Sequence, residues 1–175
     1  SITKMEVVTT KLKDVLLFKP EVFTDNRGLF FESFNNNDLC KILKRDIQFV
    51  QDNHSISRLN VLRGMHFQES PMSQAKLVRV VVGEVYDVAL DVRDDSETYG
   101  KWIAEKLSAD NKHQLWIPEG FAHGFLTLSD EAQLLYKVTN YYSKKHEKTI
   151  RYDDPKYNIT WPSDNVILSE KDKTT

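Results

Sequence analysis

Leu77-Val-Arg-Val-Val-Val-Gly83-Glu-Val-Tyr-Asp-Val-Ala-Leu-Asp-Val92 is the stretch on which the fold turns. The run 77–82 is rich in Val. The run 85–92 alternates: Val85, Asp87, Ala89 and Asp91 share one face, and Tyr86, Val88, Leu90 and Val92 share the other. A period of two is that of a strand. The glycine between the runs predicts a tight hairpin. Outward from here, short apolar or aromatic runs at 15–18, 29–34, 102–107, 113–117, 124–128 and 132–140 predict further strands. Only 37–44 has helical spacing, with Leu39, Ile42 and Leu43 behind an Asn or Asp cap. Closely spaced strands with almost no helix predict an all-β sandwich or barrel.

The chain of 175 residues fits one domain, 1–175, and no linker or repeat interrupts it. Lys plus Arg number 24 against 26 Asp plus Glu. That balance argues against nucleic-acid binding, which rests on phosphate neutralisation. The single Cys40 excludes an internal disulfide framework and a cysteine zinc cluster. No apolar run has the length of a membrane span, and residues 1–10 carry Lys4 and Glu6 without a signal-peptide core. A cytoplasmic protein, with no membrane partner, is expected. Residues 150–175 read as irregular, with Trp161 and Ile167 as anchors that would pack this segment on the barrel.

Three clusters could carry chemistry: Arg63-Gly-Met-His66-Phe-Gln68 with Lys76 beyond it, Pro118-Glu-Gly-Phe-Ala-His123-Gly-Phe125, and Tyr136-Lys137 followed by Tyr141-Tyr142. Each has an ordinary explanation alone. A histidine among strands is commonly a hydrogen-bonded structural residue, a strand tyrosine packs, and a lysine at a strand end is solvated. Together they are more specific. Pro-x-Gly-x-x-His at 118–123 resembles the second half of the cupin signature, so the barrel is expected to be a cupin-type jelly roll with one or a few short helices. Metal-binding cupins carry His-x-His and a later Glu where this chain has His66-Phe67-Gln68. His66 and His123 lack third and fourth ligands at the usual places, and Lys76 in the same cavity would repel a divalent cation. No metal is expected.

Longer segments carry a closer likeness. Phe23-Thr-Asp-Asn-Arg27-Gly-Leu-Phe-Phe-Glu32-Ser-Phe34, Gln51-Asp-Asn53-His-Ser55, Val61-Leu-Arg63-Gly-Met-His66-Phe-Gln68 and Lys76-Leu-Val-Arg-Val80 belong to it. So do Gly83-Glu-Val-Tyr-Asp-Val88, Gln114-Leu-Trp-Ile-Pro118-Glu-Gly-Phe-Ala-His123-Gly-Phe125, Leu135-Tyr136-Lys137, Asn140-Tyr-Tyr142, Trp161-Pro162 and Leu168-Ser-Glu-Lys171-Asp172. From about Lys11 to Asp172 the sequence resembles the dTDP-4-dehydrorhamnose 3,5-epimerases. The resemblance implies a cofactor-free isomerase acting on a dTDP-linked 4-keto-6-deoxyhexose in rhamnose or deoxysugar biosynthesis. It also implies a homodimer whose N-terminal strands cross to the partner, so that Arg27 and Glu32 serve the neighbouring site.

The chemistry of such a substrate explains the residue types. C3 and C5 both flank the C4 ketone, so their protons are acidic once the enolate oxygen is stabilised. Inversion needs a base on one face, an acid on the other and a donor at the oxygen. By the resemblance, His66 is the base, since an imidazole titrates near working pH. Asp172 orients it, as in triad logic. Tyr136 is the acid, and Lys76 is the cation facing the developing oxyanion. Arg63 and Arg27 match diphosphate contacts, with Lys171 beside them. Glu32, Gln51, Asn53 and Glu147 match polar contacts to the sugar nucleotide, His123 assists at the sugar, and Tyr142 stacks on thymine. A lone Asp in a charged tail or an Arg on a surface would otherwise read as solvated. Competing readings are a C3-only epimerase or one for another nucleotide 4-ketosugar, a 3,4-ketoisomerase, a metal-dependent cupin enzyme, and a non-catalytic sugar-binding module.

Overall fold

The computed structural model describes residues 4–174; residues 1–3 and 175, the extremes of the expected 1–175 domain, lie outside the described residues. The chain runs through β1 (Met5–Thr9), β2 (Leu16–Pro20), β3 (Val22–Asp25), β4 (Gly28–Phe31) and helix α1 (Asn36–Leu43). It continues through β5 (Gln51–Arg58), β6 (Leu62–Gln68), β7 (Lys76–Val82), β8 (Glu84–Asp91) and β9 (Trp102–Ser108). It ends in β10 (Gln114–Ile117), β11 (Phe121–Thr127), β12 (Glu131–Val138), β13 (Glu147–Thr149) and the one-turn helix α2 (Glu170–Lys173).

Two antiparallel sheets face each other, one of order β1-β2-β10-β7-β12-β5 and one of order β13-β6-β11-β8-β9. Val78, Val80, Leu115, Ile117 and Leu134 from the first sheet meet Val85, Ala89, Ile103, Leu107, Phe121 and Phe125 from the second. Burying a side chain of this size is worth roughly 1.5–3 kcal/mol, so this shared layer holds the sandwich closed. The inner face turns polar along the same strands. Lys76 follows the inward register of Val78 and Val80, and Tyr136 that of Leu134. His123 stands between Phe121 and Phe125, and Asp87 between Val85 and Ala89.

The expected hairpin at Gly83 is not there. β7 pairs with β10 and β12, whereas β8 pairs with β11 and β9, so the glycine turns the chain from one sheet into the other. Each run already has two neighbours, which leaves no edge for pairing with the other. Gly83 has φ +76, and a Cβ there would stand 2.1 Å from the Glu131 carbonyl oxygen, so only glycine fits this corner.

α1 starts at Asn35, whose side chain accepts from the Asp38 amide at 3.1 Å, and stops at Lys44 with φ 57. Its buried Leu39 packs with Phe18, Ile47, Leu77 and Trp116 on the outer side of the six-stranded sheet. On the outer side of the other sheet, Met65, Val88, Leu90 and Ala122 receive Ile150, Tyr157, Ile159 and Trp161. Ile167 holds by its backbone rather than by burial: it donates to Asn60 O at 2.8 Å and accepts from Leu62 N at 3.0 Å. β3 and β4 form a separate two-stranded sheet, with Phe23, Leu29 and Phe30 exposed. No described helix is long and apolar enough to cross a membrane.

Candidate active site

The polar end of the sandwich opens into a cavity of about 600 Å³. Its floor is set by β6 and β11, where His66 and His123 are paired in register. Between the pairs His66–His123 and Arg63–Phe125, two residues of β6, Gly64 and Met65, stand opposite one of β11, Gly124. Residues three apart on a regular strand face opposite ways; the extra residue of this bulge brings Arg63 and His66 to the same cavity while Met65 packs outward. Gly64, inside the bulge, has φ +123, and a Cβ there would lie 2.6 Å from Gly124 Cα and 2.7 Å from His123 O. The strand cross-over that aligns the two histidines therefore admits no side chain at 64.

Each histidine has a carboxylate. His66 Nε2 lies 2.5 Å from Asp172 Oδ1, and the other Asp172 oxygen accepts from Gly64 N at 3.1 Å. Burial pushes the Asp172 carboxyl up, but the His66 bond and charge, the Gly64 amide and Lys171 together hold it below its ordinary value. Ser169 caps α2 by accepting from Asp172 N, which fixes the buried carboxylate at the end of the tail. His123 Nε2 lies 2.8 Å from Asp87 Oδ2, in a fully enclosed setting. Burial depresses the His123 pKa against the pull of Asp87.

Lys76 is 7% exposed, and burial lowers its pKa to about 8, with Asp87 and Glu147 opposing the shift. Its ammonium is 5.6 Å from the centroid of the Tyr136 ring, which in turn stands 6.2 Å from the His123 ring. Burial raises the Tyr136 pKa, and a bond to Asn53 pulls the other way. The phenol thus stays protonated at neutral pH.

Around this group runs a polar wall. Gln51 donates to Asn53 at 2.9 Å and accepts from Tyr142 N at 3.0 Å. Arg63 is braced on Ser57 Oγ at 3.0 Å. Glu147 accepts from Lys171 at 2.8 Å and from the Tyr142 hydroxyl at 3.4 Å. Of the residues expected from the sequence, His66, Tyr136, Asp172, Lys76, Gln51, Asn53, Arg63, His123, Tyr142, Glu147 and Lys171 all line this one cavity. Arg27 and Glu32 do not. Arg27 is on the β3–β4 turn, its side chain 90% exposed and forked onto Asp25, and Glu32 follows β4. Asp87 was not singled out from the sequence. Its signal was present: a carboxylate in an inward position between Val85 and Ala89. Among the described residues no group of three or more His, Cys, Asp or Glu side chains could hold a metal ion.

A site with an imidazole–carboxylate pair, a protonated phenol and a buried ammonium can take a proton from one side of a ligand, return one from another, and hold negative charge between.

Comparison with known proteins follows the same lines. The family model described as dTDP-4-dehydrorhamnose 3,5-epimerase matches residues 9–175. The chain is 56% identical over 168 residues to the dTDP-4-dehydrorhamnose 3,5-epimerase of Shigella flexneri, covering 96% of this chain and 93% of that one. It is 52% identical over 170 residues to the enzyme of the same description from Escherichia coli K12, covering 97% and 92%. Among solved structures, it superimposes with a TM-score of 0.94 and 45% identity on a dTDP-6-deoxy-D-glucose-3,5-epimerase from Legionella pneumophila in complex with dTDP-4-keto-L-rhamnose, covering 97% and 90%. These neighbours make the expected cupin-like jelly roll the fold of this chain.

Proposed function

The chain belongs to the dTDP-4-dehydrorhamnose 3,5-epimerase family, and from that premise we propose how its cavity performs the reaction. The protein is an isomerase that inverts C3 and C5 of dTDP-4-dehydro-6-deoxy-D-glucose to give dTDP-4-dehydro-L-rhamnose. The observation that carries the mechanism is the convergence of His66–Asp172, Tyr136 and Lys76 on one cavity. Asp172 accepts from His66 Nε2–H, which leaves Nδ1 with the lone pair that removes the C3 or C5 proton. The C–H electron pair moves into the ring and the carbonyl π pair onto the C4 oxygen. Lys76, itself buried, stabilises that enolate from the cavity wall. Tyr136 then gives its proton to the opposite face of the carbon. Solvent exchange resets the imidazolium and the phenolate, so each inversion conserves protons and needs no cofactor.

Arg63 and Lys171 supply positive charge for the diphosphate, and Gln51, Asn53 and Glu147 offer bonds to the sugar and ribose. Tyr142, 52% exposed at the mouth, is placed to stack on thymine. His123 gives its Nε2–H to Asp87, which leaves Nδ1 to accept from a sugar hydroxyl beside Lys76. Arg27 and Glu32 act across a homodimer. The support is the β3–β4 hairpin: it pairs with neither sheet and presents Val22, Phe23, Leu29 and Phe30 to solvent, an apolar patch that a partner subunit would cover. A cytoplasmic location fits the unpaired Cys40.

Incubation with dTDP-4-dehydro-6-deoxy-D-glucose in D₂O tests the reading. Deuterium is expected at both C3 and C5. Label at C3 alone would demote the double inversion to a C3-only epimerase, and no label would remove catalysis.

A further inference from the structure

Asp172 does its work from a single turn of helix near the end of the described chain, and such a turn does not hold itself in place. What holds it is the segment around β13. β13 pairs with β6 so that Thr149 lies opposite His66, and Ile150 continues the pairing with Met65 through bonds of 2.9 and 3.0 Å. The two ends of this segment each grip α2 on one side of Asp172. Glu147 accepts from Lys171 at 2.8 Å. Arg151 donates through Nη1 to the carbonyl oxygen of Lys173. Its guanidinium is pre-set for that bond by Asp153, which takes Nε at 2.8 Å and Nη2 at 3.1 Å. The strand that carries the base is thus the template against which the tail bearing its carboxylate is located. Glu147 faces the cavity, but Arg151 does not line it.

We propose that Arg151, clamped by Asp153, is a positioning residue for the epimerase: by holding the Lys173 carbonyl it fixes Asp172 against His66. This rests on the reading of His66–Asp172 as the base. Without the clamp, α2 keeps its tie at Ile167 and at Lys171 but swings at its far end, and the 2.5 Å contact is held for only part of the time.

The test uses the full-length enzyme with Arg151→Ala, Arg151→Lys and Asp172→Asn. Asp172→Asn should lower kcat at least about a hundredfold. Arg151→Ala should lower kcat about tenfold, the scale of losing an outer-shell partner, with KM within about twofold because no substrate contact is touched. A carboxylate favours the imidazolium, so its partial loss should move the acid limb of kcat/KM to lower pH, by about half a unit for Arg151→Ala and further for Asp172→Asn. Arg151→Lys keeps a donor for the carbonyl and should recover part of the rate. If Arg151→Ala does not fold, Asp153→Asn replaces it, with the same directions and smaller size. A loss of rate with an unmoved acid limb would mean a merely structural role and overturn the proposal, as would an unchanged kcat. If Asp172→Asn itself were fully active, the base assignment would fail first, and that result is distinct from a failure of Arg151 alone.

Discussion

Lys76→Met removes one charge from the centre of the cavity and should do two opposite things. In the folded protein the ammonium titrates near 8 instead of 10.5, because burial outweighs its attraction to Asp87 and Glu147. The unfolded chain therefore binds the proton more tightly than the folded one. Stability rises with pH wherever the unfolded state holds more protons, so the penalty is fully present below pH 8 and is relieved between 8 and 10.5. The gap of 2.5 units (10.5 minus 8) corresponds to about 3 kcal/mol. A methionine of similar length carries no such penalty. At pH 7 the variant should be more stable by up to about 3 kcal/mol, which for a chain of this size raises Tm by about 6–12 °C. The advantage should shrink as the pH is raised through 8 to 10.5. Turnover should fall by about 10²–10³, the scale of losing an oxyanion donor. The wild-type rate is expected to show an alkaline limb from loss of the Lys76 proton, and the variant should lack it. Thermal unfolding across pH, with deuterium exchange followed by NMR, reads both effects. A variant no more stable at pH 7 than wild type would contradict the buried charge. One that keeps its rate and its alkaline limb would remove Lys76 from the chemistry.

Tyr136→Phe should retain exchange at C3 in D₂O, because His66 can return a deuteron to its own face, while net inversion drops by about a hundredfold; inversion at full rate would mean another acid. Asp87→Asn removes an anion that supports protonated Lys76, so the alkaline limb of kcat should move to lower pH, which a rate profile between pH 6 and 9 checks. Gly64→Ala should lose more than about 3 kcal/mol in denaturant unfolding, since the new methyl would meet the Gly124 backbone at 2.6 Å in a φ region alanine avoids. Phe30→Glu should shift the protein toward monomer in sedimentation and reduce turnover together, if Arg27 and Glu32 reach the partner's cavity.

The alternation of 85–92 was readable because one face of β8 carries Asp87 and Asp91 beside Val85 and Ala89, whereas Tyr86, Val88, Leu90 and Val92 on the other pack against the C-terminal segment. β5 escaped the same reading for a functional reason. Its inward residues are Gln51, Asn53, Ser55 and Ser57, so a strand that walls a polar cavity shows no apolar stripe. β1 and β3 were missed because they are short and largely exposed. The crossing at Gly83 was illegible for another reason. A glycine between two apolar runs marks a turn, and only the partners on either side decide whether the runs pair or part. The cavity residues were legible through family likeness, whereas Arg63 and His66 sharing one side depends on a bulge that spacing alone argues against. The wide separation of His66 and Asp172 is of the same kind, since only the assembled sheets bring them together.

That separation also bears on how the enzyme comes to life. Synthesis runs from the N-terminus, and the strands of both sheets have been made before Asp172 emerges. Until the tail arrives, His66 lacks its carboxylate and the cavity lacks Ile167, Leu168, Ser169 and Lys171 from its wall. Proteolytic trimming of the tail after residue 165 should then cost a finished catalyst both its retention of thymidine diphosphate and its labelling of the ketosugar in heavy water, the second far more than the first.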